Sequence, residues 1–313
     1  MKFITRIILN RNFILILAVV LGLWQGQYAV FTRDYTFYIL ALVMTFSTTG
    51  ISTRAMLPLK NMVKPMLMGT LLNYGVFGIV IITLAYCFMP SQELFLGFVV
   101  IASTPPGVAI IPFAHILEGD EKYSIIGVLG AFIASVVLAP AIVGFFSRVE
   151  GEGINSMALL LSMVELVLVP MLISRLLLWE PIRPTVFKIR GKVVDWGFAI
   201  IIFTAVGMNR QVFFSNFEVL LSISLVLFIT IFGLGTLYQY IAGKVGVTKR
   251  IVVTQKLLLT VKSSGFSVVT ALTLFGEEAA IPSAVLAVFV LLYLLYLSFK
   301  MEYRNHKIKK KLF

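Results

Sequence analysis

Ala102-Ser103-Thr104-Pro105-Pro106-Gly107 and Lys262-Ser263-Ser264-Gly265 each interrupt a long apolar run. In the first stretch two prolines remove two backbone donors, and Gly107 adds conformational freedom. In the second, small hydroxyl residues and a glycine leave helical geometry readily. Past each glycine comes a similar apolar stretch, ending in Glu118-Gly119-Asp120 or Gly276-Glu277-Glu278. Gly107 and Gly265 stand 158 residues apart, and Gly119 and Gly276 stand 157 apart. A single break reads as a simple kink, because Pro and Gly are frequent in transmembrane helices. Two breaks at a near-constant offset read as a duplicated unit.

The rest of the chain supplies the setting. Of its 313 residues 59% are hydrophobic and only 13% charged, with a mean hydropathy of +1.00. Soluble domains hold about 45–50% apolar and about 25% charged residues, so lipid must be the solvent. An apolar helix needs about 20 residues to cross the hydrocarbon core. Punctuating the chain at charges and Pro/Gly clusters gives ten spans, near 13–30, 36–55, 63–88, 94–117, 121–147, 156–179, 193–210, 217–243, 251–276 and 279–301. The first follows Lys2, Arg6 and Arg11, as a leader would. It is long, however, and no small-residue cleavage site stands out after it, so it reads as a retained span. With one cysteine, Cys87, and two histidines, His115 and His306, neither disulfides, CxxC redox chemistry nor a His-rich metal site is expected.

Cations test the span count. With the N-terminus in the cytoplasm, 22 of the 26 Lys and Arg fall in inside segments. These are the N-tail, the segment around Arg54, Lys60 and Lys64, Lys122, the stretches Arg175 to Lys192 and Lys244 to Lys256, and the C-tail. Only Arg33, Arg148 and Arg210 lie outside. The positive-inside rule therefore places both termini in the cytoplasm with an even number of spans. The net charge of +12 reads as topology and a surface for anionic lipid, spread over too many loops for nucleic-acid binding.

Near Gly151-Glu152-Gly153 the chain divides into halves of five spans, 1–150 and 151–313. An odd number per half inverts the second half in the membrane. Inverted repeats of this kind place binding sites near the midplane, at discontinuous helices. Both breaks fall in the fourth span of their half. Half-helices beginning near Pro106 and Gly265 would point their N-termini at the site, and free amides there bind anions without any side chain.

At these residues the chain resembles the bile acid:sodium symporter family, within the wider group that includes arsenite exporters and auxin carriers. Ala102–Asp120 is similar to that family's fourth-span motif, with its Pro-Gly break and terminal Gly-Asp. Thr260 through Lys262-Ser263-Ser264-Gly265 to Ala279-Ala280-Ile281-Pro282-Ser283-Ala284-Val285 is similar to its ninth span and the start of its tenth. The spacing from the Gly-Asp to Pro140 also fits. The resemblance implies an all-α integral membrane protein of ten transmembrane helices in two inverted five-helix repeats. Spans one, two, six and seven would form a panel domain and the rest a core domain, with the discontinuous fourth and ninth helices crossing. Substrates across the family are organic anions, usually moved with sodium.

The departures from the family are as informative. Ile110 and Ile111 stand where the family has a Ser-Asn pair, Val128 where it has a Thr, and Leu258 where it has a Glu. Lys262 replaces the Gln of the ninth-span motif, Asn73 occupies a position where Gln is usual, and Ser124 is kept. Hydrocarbon side chains offer sodium no oxygen, and an ammonium repels it, so the usual sodium sites are expected to be lost. Lys262 would stand in for the bound cation where helix-end carbonyls carry partial negative charge. A dry site disfavours the charged form of an amine, which adds proton coupling as an option. The alternative for Lys262 is that it snorkels into a shallow loop.

The expectation is thus a secondary transporter of a small organic anion, multi-pass in the cell (inner) membrane, working by alternating access. Ser103, Thr104, Pro105, Pro106, Gly107, Ser263, Ser264 and Gly265 are the substrate-binding candidates, their hydroxyls either donating to an anion or capping the broken ends. Lys262, Glu165, Asn73 and Ser124 are the coupling candidates. Glu165 could bind a proton, pair with Lys262, meet a substrate amine or be a structural carboxyl. His115 reads as a boundary residue, Asn209 with Arg210 as a loop, and Trp24, Trp179 and Trp196 as interfacial anchors. Two other functions stay open, a proton-linked cation antiporter and a non-transporting membrane sensor with the same fold. No enzyme constellation, nucleotide motif, cofactor or metal site is visible.

Overall fold

Apolar runs ended by Pro, Gly or charge become helices throughout the computed structural model. It describes residues 11–50, 62–107, 109–149, 161, 164–208, 210, 214 and 216–312. The Gly151-Glu152-Gly153 boundary, Arg54, Lys60 and Asn209 lie outside these. In the first part of the chain α1 is Arg11–Gln25, followed by a short 3-10 turn, α2 Val30–Arg33 and α3 Thr36–Thr48. Then come α4 Val63–Thr70, a π-helical turn at Leu71–Val76, α5 Phe77–Phe88, α6 Gln92–Ser103, α7 Ile110–Ile116 and α8 Glu121–Val149. A second π turn at Val164–Leu168 precedes α9 Val169–Leu176 and α10 Arg183–Met208. After α11 Phe217–Phe228 a third π turn, Ile229–Gly233, leads to α12 Leu234–Lys244, α13 Lys249–Thr260, α14 Ser264–Phe275 and α15 Glu277–Leu312. Among the described residues no strand forms, only one isolated bridge between Pro106 and Lys262.

Among the described residues six stretches are long and apolar enough to cross a membrane, namely Phe13–Arg33, Val63–Phe88, Glu121–Arg148, Arg183–Met208, Phe217–Lys244 and Glu277–Met301. Shorter apolar helices are Thr36–Thr48, Gln92–Ser103 and Ser264–Phe275. Large apolar side chains such as Ile79, Val137, Phe145 and Leu172 are more than 60% exposed, in numbers that a water-facing surface does not carry. Trp24, Trp179 and Trp196 are also exposed.

Two edges differ from expectation. The helix expected as the seventh span begins at Arg183, ten residues earlier than 193, because Pro184 sits in its first turn, where the missing amide costs nothing. Its first turns are rich in cations, so a hydropathy reading clips them. The half-helix expected to begin near Pro106 begins at Ile110, because residues 105–107 lie outside any helix and Pro106 forms an isolated bridge.

The helices pack in two groups. In one, α10 lies along α1 and α3, and α9 along α3. In the other, α4 packs on α8, α6 on α5, α8 and α15, and α14 on α15. Small residues permit the close crossings. A Cβ on Gly69 would meet the Gly127 carbonyl at 2.5 Å, and one on Gly97 would collide with the Ala279 carbonyl.

Candidate functional site

The site starts with the two interruptions. A residue preceding proline is pushed out of helical geometry, and Thr104 is extended with φ −74° and ψ 150°. On the other chain segment α13 ends at Thr260, and Val261 is extended with φ −100° and ψ 99°. The two extended pieces run antiparallel and exchange two hydrogen bonds. Gly107 N–H donates to the Val261 carbonyl at 2.9 Å, and Ser263 N–H donates to the Pro105 carbonyl at 3.1 Å. Two of the break amides that were expected to be free for an anion are thus paired with backbone carbonyls. Gly107 is held at this crossing by proximity, since its added Cβ would stand 3.1 Å from the Lys262 carbonyl.

Lys262 is only 1% exposed. Its Nζ donates to the Thr104 carbonyl at 2.6 Å, the Ala102 carbonyl at 3.1 Å, Asn73 Oδ1 at 3.1 Å and the Asn73 carbonyl at 3.4 Å. The faces of Tyr74 and Phe77 lie 5.1 Å away each. An ammonium has three donors, so its hydrogen-bonding capacity is filled without any carboxylate. Burying an isolated charge costs several kcal/mol. Here four oxygen dipoles and two π faces offset that cost.

Asn73 is oriented for this role. Its Nδ2 donates to the Thr104 carbonyl at 3.1 Å, which leaves Oδ1 turned to Lys262. It lies within the π turn Leu71–Val76, a distortion that loosens the regular carbonyl ladder and is common at functional sites. Leu71 and Ile229, where the first and third π turns begin, stand 158 residues apart. That is the separation of Gly107 and Gly265.

The remaining candidates are placed differently. The hydroxyls of Ser103 and Thr104 donate to the carbonyls of Val100 and Ile101 in their own helix. Ser124 does the same to Glu121. These three hydroxyls cap or bond back and do not reach Lys262. Glu165 is exposed and is not among the acceptors of Lys262. Ile110, Val128 and Leu258 are fully buried in one apolar core, so hydrocarbon fills positions where the resemblance would have put oxygen ligands. Among the described residues no cluster of His, Cys, Asp and Glu could hold a metal ion.

Two spaces flank the crossing. A cavity of about 60 Å³ is lined by Gly107, Val261–Ser264 and apolar residues including Phe198, room for a few waters at most. A groove of about 580 Å³ lies between α3, α7 and α10, lined by Gly50, Ala109, His115, Arg190 and Asp195 among others. That volume suits a small organic ligand. Ala109 and Phe198 line both spaces. Phe198 packs so closely on Gly265 that an added Cβ there would stand 2.7 Å from its ring. In the groove Arg190 Nη1 is buried without a hydrogen-bond partner among the described residues. His115 and Glu121 form an exposed pair at 2.5 Å.

The sequence pattern of the SBF-like CPA transporter family matches residues 10–299. The chain belongs to that family. No curated protein matches it. Membership bears out the resemblance carried by the two interrupted motifs. Together with the apolar helices it identifies a multi-pass membrane protein of a transporter family.

Several residues around the crossing were not singled out from sequence. The Gly119-Asp120 end of α7 is pinned to α13, where Thr254 Oγ1 accepts from Asp120 N–H at 2.8 Å. Gln255 donates to the Tyr123 hydroxyl and accepts from Tyr238, both at 2.7 Å. The signal was present in Thr254-Gln255-Lys256, three polar residues in succession within the ninth apolar stretch. The sequence places Arg190 in a loop, because the cation-rich first turns of α10 lack an apolar pattern.

Proposed function

We propose that the chain is a secondary transporter that moves a small organic anion across the cell (inner) membrane by alternating access. Its ten spans would form two inverted five-helix repeats with both termini cytoplasmic. Matched breaks and matched π turns at one 158-residue offset support the duplication. The group of α1, α3, α9 and α10 corresponds to the panel, and the group around α6, α8, α13 and α15 to the core.

One observation carries the reading. Lys262 Nζ occupies a closed set of oxygens at the crossing, so a covalently attached cation sits where a coupling ion would. Its charge favours an anion nearby, and the groove lined by Arg190 supplies the space. Sodium is then dispensable. The test is anion uptake by purified protein in proteoliposomes, with sodium replaced by choline. Uptake unaffected by that replacement and lost in Lys262→Ala is expected. Sodium-dependent uptake, or full uptake by Lys262→Ala, overturns the reading.

A second reading, proton-linked cation antiport, draws on the same four oxygens. A lysine that released its proton and withdrew would leave a set of acceptors suited to a small cation. Proton movement driven by a sodium or potassium gradient, with no organic anion present, would favour it over anion transport.

A further inference from the structure

Two further lysines line one cavity beside α13. Lys256 of α13 is 7% exposed, and its Nζ donates to Gln239 Oε1 of α12 at 2.9 Å. Lys300 of α15 lines the same cavity of about 330 Å³, together with Leu117, Val253, Leu297, Met301 and Tyr303. Among the described residues Lys300 Nζ meets the Tyr296 hydroxyl, at 3.4 Å, and lies 5.5 Å from that ring. Among the described residues no carboxylate lines the cavity.

Two ammonium groups in one pocket with neutral partners repel each other until an anion lies between them. The donor set narrows the choice of anion. Gln239 spends its carbonyl oxygen on Lys256, so its amide N–H groups stay available. The Tyr303 hydroxyl adds another donor. Two cations and two neutral donors lining one cavity from three helices suit a group with several charged oxygens better than a single carboxylate. The other walls are hydrocarbon, and the pocket lies toward the end of α12 that carries Lys244, the end read as cytoplasmic. Basic pockets between helices on that side receive phosphate headgroups.

We propose that this cavity is a binding site for a phosphate-bearing anion, held between Lys256 and Lys300 with Gln239 and Tyr303 completing its hydrogen bonds. The source is either the headgroup of an anionic phospholipid or a soluble phosphate. The proposal is independent of what crosses the membrane and of the role of Lys262.

Thermal unfolding of the full-length detergent-purified protein tests it, titrated separately with phosphatidylglycerol, phosphatidylcholine and inorganic phosphate. Stabilisation by phosphatidylglycerol alone assigns a lipid headgroup, and stabilisation by inorganic phosphate as well assigns a soluble ion. Lys300 is exposed, so Lys300→Gln should fold normally. It should raise the half-saturating concentration about fivefold, as expected for one lost lysine–phosphate attraction. Lys256→Gln/Lys300→Gln should abolish the response, whereas Lys188→Gln, an exposed cation on α10, should leave it unchanged. An equal response to phosphatidylcholine, no response to any of the three, or a full response in the double variant overturns the proposal.

Discussion

Lys262 Nζ lies 2.6 Å from the carbonyl oxygen of Thr104, so the residue after one broken helix closes the end of the other. Because Asn73 Nδ2 donates to the same carbonyl, three segments distant in sequence share one oxygen. Lys262→Ala should therefore cost more than a side chain. It leaves the Ala102, Thr104 and Asn73 oxygens buried without a cation, a loss of about 3 kcal/mol. Sodium should recover part of it, since the vacated oxygens can coordinate an ion. Thermal unfolding in sodium chloride against choline chloride at equal ionic strength checks this. The variant should melt higher in sodium, and the parent should not distinguish the salts.

Much of this arrangement was legible in the residues. Pro105-Pro106 breaks a helix, Ser263-Ser264-Gly265 leaves one readily, and their near-constant offset made them candidate counterparts. Lys262 was conspicuous as a cation inside an apolar span. Its partners were not, because three of the four acceptors are backbone carbonyls, which every sequence contains. The pairing with Asn73 spans 189 residues, and no spacing rule reaches that far. The hydroxyls of Ser103 and Thr104 stayed open between a ligand and the broken end, because a side chain that bonds its own helix looks the same in sequence as one that faces a ligand. Arg190 was hidden by charge, since a cation-rich first turn resembles a loop until Pro184 is recognised as a helix start.

Asn73→Ala should destabilise the protein by about 2 kcal/mol, the scale of a hydrogen bond to a charged group plus one neutral bond. The two changes Asn73→Ala and Lys262→Ala should fall short of additivity, because they remove the same interaction. A double-mutant cycle on unfolding free energies measures the shortfall. Strict additivity would mean that Asn73 does not hold the ammonium.

Gly265 is a separate constraint on the crossing. Gly265→Ala places a methyl group 2.7 Å from the Phe198 ring, and overpacking of this kind costs about 1–3 kcal/mol. Phe198→Ala should relieve the clash, so the double variant should be more stable than Gly265→Ala alone. Failure of that rescue would show that backbone freedom at Gly265, and not the contact with Phe198, demands the glycine.

Arg190 tests the route by which an anion reaches the crossing. Its guanidinium lies where a Cβ on Gly50 would stand 3.1 Å from Nη1, and that nitrogen has no acceptor among the described residues. The nearest ring, Phe187, at 4.5 Å from the guanidinium carbon, packs on the cation without accepting a conventional hydrogen bond. A buried donor without a partner is costly, and a carboxylate or sulfonate in the groove would satisfy it. Arg190→Ala should raise the half-saturating anion concentration about tenfold, the equivalent of one charge-assisted hydrogen bond, with the maximal rate little changed. Arg190→Lys keeps the charge and loses the planar fork, so it should fall between the two. Initial rates of anion uptake over a concentration series separate these effects. A fall in maximal rate at unchanged half-saturation would place Arg190 in the conformational cycle and remove it from anion recognition.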